Sequence, residues 1–189
     1  MNGDVRHERQ RILILLGTDV HPFARLCDWA DQRATAHPEE DVLVQHGATA
    51  APRTARGVEM LAPDELHRTL ISMDAVVTHG GPGTIAAARA AGLAPLILPR
   101  DPAHGEHVDD HQLRFARWAS ERGLGEVVLH VDLLDQALDA AAPHTRSTDE
   151  NPQEQVAAST RRVLEELRVL RSRGASRRRL PSLKPPTWA

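Results

Sequence analysis

Histidines, glycines and carboxylates crowd into three short stretches of this chain. One is Thr78-His79-Gly80-Gly81-Pro82-Gly83-Thr84, between the apolar run Ala75 to Val77 and the alanine-dense stretch Ile85 to Ala91. Strand, glycine turn and helix in that order build an anion site. Glycines let the backbone come close to a ligand, and the free N–H groups of the helix's first turn face it. A phosphate or diphosphate is the natural guest. The turn has no Lys followed by Ser or Thr, so it is not a Walker A loop. Gly81 and Gly83 also lack the third glycine of a dinucleotide fingerprint. A tight turn in which glycine only relieves strain fits the same spacing.

The second stretch is Pro99-Arg100-Asp101-Pro102-Ala103-His104-Gly105-Glu106-His107-Val108-Asp109-Asp110-His111-Gln112. Its many short-range donors and acceptors suit a hydroxyl-rich ligand such as a sugar, and Arg100 could neutralise a phosphate. Two other readings stand beside this one. His107 and His111, four apart on an expected helix face with His104 nearby, could bind a metal. The order Glu-His-Val-Asp-Asp-His is not the His-Glu-x-x-His of a metalloprotease, however. Acids at a solvated helix start would also look like this. The third stretch, Gly17-Thr18-Asp19-Val20-His21, offers His21 as a general base or as a backbone partner.

These residues need a scaffold that carries them to one edge. Arg11 to Leu16 reads as a buried first strand, followed by a helix to Ala36 with Phe23, Leu26, Cys27 and Ala30 at helical spacing. Strands are expected at Val42–Gln45, Val58–Leu61, Ala75–Val77, Pro95–Leu98 and Glu126–Leu129. Helices are expected at Pro63–Ser72, Ile85–Ala91, Glu106–Glu121 and from an Asp132 N-cap to Ala141. Gly92 and Gly123 lie where helix-ending glycines belong. The alternation implies an α/β fold with a doubly wound, Rossmann-like parallel sheet, which binds ligands at the carboxyl ends of its strands. The three stretches all fall there.

Composition narrows the class. Hydrophobic content of 41% and charged content of 26% are those of a globular protein, and no apolar run reaches the length of a membrane span. The polar start, Met1 to Gln10, does not resemble a signal peptide. A single cysteine, Cys27, excludes an internal disulfide and fits a reducing compartment. With no Tyr and two Phe, a base-stacking surface for nucleic acid is not expected. Charge is uneven: residues 161–189 hold nine Lys and Arg against Glu165 and Glu166, a net +7, leaving −10 on residues 1–160. Such a tail suits an anionic membrane surface or an acidic protein face, or is simply a solubilising end. The expected organisation is a disordered 1–10, a Rossmann-like domain over 11–142 (nucleotide-sugar-binding, on the resemblance given next), a linker over 143–154, an amphipathic helix over 155–170 and a basic, disordered 171–189.

Taken together, Gly17-Thr18-Asp19-Val20-His21-Pro22-Phe23, the glycine turn and the run from Pro99 to Gln112 resemble the C-terminal-domain family of glycosyltransferase family 28. Within it the chain is similar to the stand-alone PssE-type subunits of bacterial exopolysaccharide synthesis. Those in turn are similar to the catalytic subunit of the eukaryotic two-part UDP-N-acetylglucosamine transferase. The likeness covers about residues 11–140. It implies the C-terminal half of a GT-B fold that binds a UDP-sugar donor, with a membrane-anchored PssD-like partner holding a lipid-linked acceptor at the cytoplasmic membrane face. It also implies that Gly17, Thr18, His79, Gly80, Gly81, Pro82, Gly83, Thr84 and Arg100 bind the UDP diphosphate. Glu106, His107, Asp110, His111 and Gln112 would meet the donor sugar, with His21 as the candidate catalytic group. Inverting transfer would need no metal and no cofactor, helix-end amides stabilising the leaving UDP. One departure matters: relatives carry a ribose-binding Glu where this chain has Ala87, flanked by Ala86 and Ala88. A scaffold or regulatory subunit of such a transferase is therefore the alternative.

Overall fold

Residues Ile12 to Leu16 are all fully buried, because the strand they form is covered on both faces. Ile12, Ile14 and Leu16 pack with Phe23, Leu26, Trp29 and Leu134 on one side. Leu13 and Leu15 pack with Leu61, Leu70, Met73 and Ala88 on the other. The structure, a computed structural model, describes residues 10–141. The expectations for 1–9 and for the linker, amphipathic helix and basic tail beyond 141 lie outside the described residues.

Strands β1 (Arg11–Leu15), β2 (Asp41–Gln45), β3 (Arg56–Val58), β4 (Ala75–Thr78), β5 (Leu96–Ile97) and β6 (Glu126–Val127) form one sheet in the order β3-β2-β1-β4-β5-β6. Every pairing is parallel. Helices α1 (Ala24–Ala36) and α5 (Leu134–Ala140) cover one face. Helices α2 (Pro63–Ser72), α3 (Pro82–Ala90) and α4 (His111–Glu121) cover the other. The order reverses beside β1, so the crevice outside β1 and β4 is the topological switch point where such sheets bind ligands. Among the described residues no helix is long and apolar enough to cross a membrane.

Most expected elements stand, with β5 and β6 shorter than expected, and four of the boundary shifts have identifiable reasons. β3 ends at Val58 instead of starting there, because its partner β2 ends at Gln45. Leu61 is nevertheless buried, its amide donating to the Gln45 side chain at 3.2 Å. α3 starts at Pro82, which needs no amide partner at the first helical position. α4 starts at His111, not Glu106. A 3-10 turn over Pro102–His104 closes on Gly105 in the left-handed region (φ +69°), and Glu106 turns inward. Asp132 lies within a second 3-10 turn, Val131–Leu133, and does not cap α5. Gly92 ends α3 as expected, with its amide on Arg89 O and that of Leu93 on Ala88 O, a Schellman pair.

Candidate functional site

The glycine turn is held by two threonines. Thr78 Oγ1 accepts the Gly80 amide at 3.0 Å and lies 2.9 Å from Thr84 Oγ1, which in turn donates to Gly81 O at 2.9 Å. This chain of hydroxyls fixes the path from β4 into α3, with Gly80 at φ +87°. Thr84 thus has its hydroxyl committed inside the turn. No side chain caps α3 among the described residues, so the amides of its first turn, at Gly83 and Thr84, face outward unclaimed by a side chain. A Cβ at Gly83 would meet nothing within 4 Å. Pro82 supplies the rigid first position.

His79 is central but inward. Its Nδ1 lies 3.2 Å from Leu15 O, and since a carbonyl only accepts, Nδ1 carries the proton and Nε2 is bare. Burial pushes this imidazole down to about 4, so the ring is neutral and adds no charge to the turn. A Cβ on Gly17 would come within 2.6 Å of the ring and one on Gly81 within 2.4 Å. Those two glycines therefore serve the imidazole as well as any ligand. Thr18 follows Gly17 on the same edge, exposed.

Arg100 corrects its sequence reading. The side chain was expected to face a phosphate, yet it is only 1% exposed. Nη1 donates to His21 O (2.6 Å) and Glu106 O (3.0 Å), and Nη2 to Leu16 O (2.8 Å). The guanidinium also lies 4.9 Å from the centre of the Phe23 ring. It is a brace tying the end of β1 to the loops that carry His21 and His107, and any anion feels its charge only through the protein. Glu106, expected at a donor sugar, is likewise internal. It accepts from Arg25 Nε (2.9 Å) and Nη2 (2.8 Å) and from the Asp101 amide (2.9 Å). Both side chains are occupied within the protein, Arg100 by three backbone carbonyls and Glu106 by the Arg25 guanidinium and the Asp101 amide.

The other polar residues line the rim. Asp19 accepts from the His21 amide at 2.8 Å and faces His21 Nδ1 at 2.6 Å. Its other oxygen lies 3.4 Å from His107 Nε2. Burial alone would raise the Asp19 carboxyl. The His21 amide and ring and the Arg100 charge outweigh it and hold the group below the usual carboxylate range. His107 precedes α4, so it does not share a helix face with His111, but the rings meet edge to face at 4.5 Å. His107, Asp109 and His111 together bring ligand atoms within 4.8 Å of one another and could hold a metal ion. Asp110 is exposed and pairs with Arg114 at 3.2 Å. Gln112 is buried, its Oε1 without a partner among the described residues. The role of Asp19 was missed from sequence, although a carboxylate two residues before an amide it can accept is a recognisable turn signal.

The sheet order, the glycine turn and the uncapped helix at the switch point define a Rossmann-like α/β domain with the fold found in GT-B glycosyltransferases. The chain belongs to the glycosyltransferase family 28 C-terminal domain family, whose model matches residues 22–167. It is 35% identical over 135 residues to the UDP-N-acetylglucosamine--N-acetylmuramyl-(pentapeptide) pyrophosphoryl-undecaprenol N-acetylglucosamine transferase of Verminephrobacter eiseniae (strain EF01-2), covering 58% of this chain and 36% of that one. Similar solved structures include the glycosyltransferase of kitacinnamycin, with a TM-score of 0.57 and 19% identity over 92% of this chain and 44% of that one. The calicheamicin glycosyltransferase gives 0.55 and 21% over 94% and 44%. The glycosyltransferase VinC in complex with DTDP gives 0.50 and 27% over 85% and 41%. The chain thus spans about a third of the curated relative it matches and under half of these structures.

Proposed function

We propose that this chain is the donor-binding, catalytic subunit of an inverting hexosyltransferase that moves a sugar from a UDP-sugar to a lipid-linked acceptor. The observation that carries this is the first turn of α3, whose amides open at the switch point with no side-chain cap. A diphosphate there would be held by the dipole end and by amides at Gly83 and Thr84 that need not reorganise as charge develops on the leaving group. Membership of the family and the likeness to an N-acetylglucosamine transferase favour UDP as the nucleotide. The acceptor would be held by a separate membrane-anchored, PssD-like partner, in exopolysaccharide synthesis at the cytoplasmic membrane face, a reading supported by the resemblance of the Gly17–Phe23, Thr78–Thr84 and Pro99–Gln112 stretches to PssE-type subunits. His111 and Gln112 at the start of α4 would meet the donor sugar, and the basic segment 171–189 would meet anionic lipid.

Ala87 supports a second reading, a scaffold or regulatory subunit. It packs against the cluster of Leu13, Leu61 and Leu70 and offers no carboxylate to a ribose. Titration calorimetry with UDP separates the two. Binding in the micromolar range, with sugar transfer on co-expression with the acceptor-binding partner, is the expected outcome. No heat at millimolar UDP would leave only the scaffold.

A further inference from the structure

We infer that Asp19 is a positioning residue that holds His21 as the general base for the incoming hydroxyl, with His107 bracing the same carboxylate from the other side. This rests on the donor-binding reading above and adds to it the path of the proton.

The argument is one of hydrogen-bond direction. An ionised carboxylate only accepts, so the 2.6 Å contact with Asp19 Oδ1 puts the proton of neutral His21 on Nδ1 and leaves Nε2 with a free lone pair. No described residue takes up that nitrogen, and the ring is about a third exposed. On the far side, the Asp109 amide donates to His107 Nδ1 at 3.3 Å, so the His107 proton lies on Nε2, facing Asp19 Oδ2. Each oxygen of one carboxylate thus faces an imidazole N–H, and the two ring centres are 6.0 Å apart. Arg100 locks the backbone on both sides by binding His21 O and Glu106 O. Beside the rings, Val20 and Val108 are 79% and 75% exposed, so the rim where Nε2 lies is open to an approaching acceptor.

The step balances as follows. The acceptor oxygen forms a bond to the anomeric carbon while the bond from that carbon to the diphosphate oxygen breaks. The electron pair leaves on UDP, and the hydroxyl proton passes to His21 Nε2. The imidazolium so formed is paired with Asp19.

Nitrogen-15 spectra of the full chain labelled at histidine read the tautomers without any turnover. The expected result at pH 8 is His21 protonated on Nδ1 and His107 on Nε2, with the His21 preference lost in Asp19→Asn. UDP-N-acetylglucosamine hydrolysis by the isolated chain then gives the rate. His21→Ala and Asp19→Asn should bind UDP within about twofold of wild type, with kcat reduced about 100-fold and KM unchanged. His21 protonated on Nε2 overturns the inference. So does Asp19→Asn hydrolysing at the wild-type rate, or a wild type that binds UDP yet hydrolyses no faster than buffer; these leave donor binding standing. Failure of the wild type to bind UDP removes both.

Discussion

Replacing Gly83 with alanine separates stability from ligand binding at the turn. Gly83 sits in the first turn of α3, is not one of the positive-φ glycines, and has open space where a Cβ would be. Alanine there loses less backbone entropy on folding, worth about 0.5–1 kcal/mol. For a domain of this size that raises Tm by about 2–5 °C. The methyl group, however, projects into the space beside the unclaimed amides. A diphosphate forced back from them loses one or two charge-assisted hydrogen bonds at about 1.5–3 kcal/mol each. UDP affinity should therefore fall about 10-fold or more. Thermal unfolding followed by calorimetric titration of UDP into the same samples tests both halves. A variant that is more stable and binds UDP as well as wild type would show that the ligand does not use this face. One that unfolds more readily would refute the open geometry itself.

The remaining expectations concern the frame of the site. Gly17→Ala, at φ +86° and with its methyl within 2.6 Å of the His79 ring, should cost about 3 kcal/mol in urea unfolding. Arg100→Met strands three carbonyls on the brace and should cost about 3 kcal/mol, with no rescue by Arg100→Lys, whose ammonium is no planar fork. His79 sets an acid limb. Its folded-state value of about 4 lies below the ordinary 6.5, so the unfolded chain takes up the proton first as pH falls. Stability is then complete above pH 6.5 and declines by about 3 kcal/mol towards pH 4, and His79→Gln should flatten that limb in pH-dependent urea melts.

Sequence alone determined the scaffold, because each element announces itself locally. The unbroken apolar run of β1, the helix Pro63–Ser72 with its proline start, the Schellman glycines at 92 and 123, and the strand–turn–helix at Gly80 all depend on neighbours a few residues away. Three residue stretches at one sheet edge followed from that alternation. What tertiary structure alone decided was the direction in which each polar side chain points. Arg100 and Glu106 look like ligand-binding groups until Leu16, His21 and Arg25 arrive from the other end of the domain to consume them. Gly17 reveals its purpose only once His79, 64 residues from its hydrogen-bond partner Leu15, is folded against it. The start of α4 moved for the same reason. Helix propensity is a local quantity, whereas the pairing that pulled Glu106 inward is set by packing between distant segments.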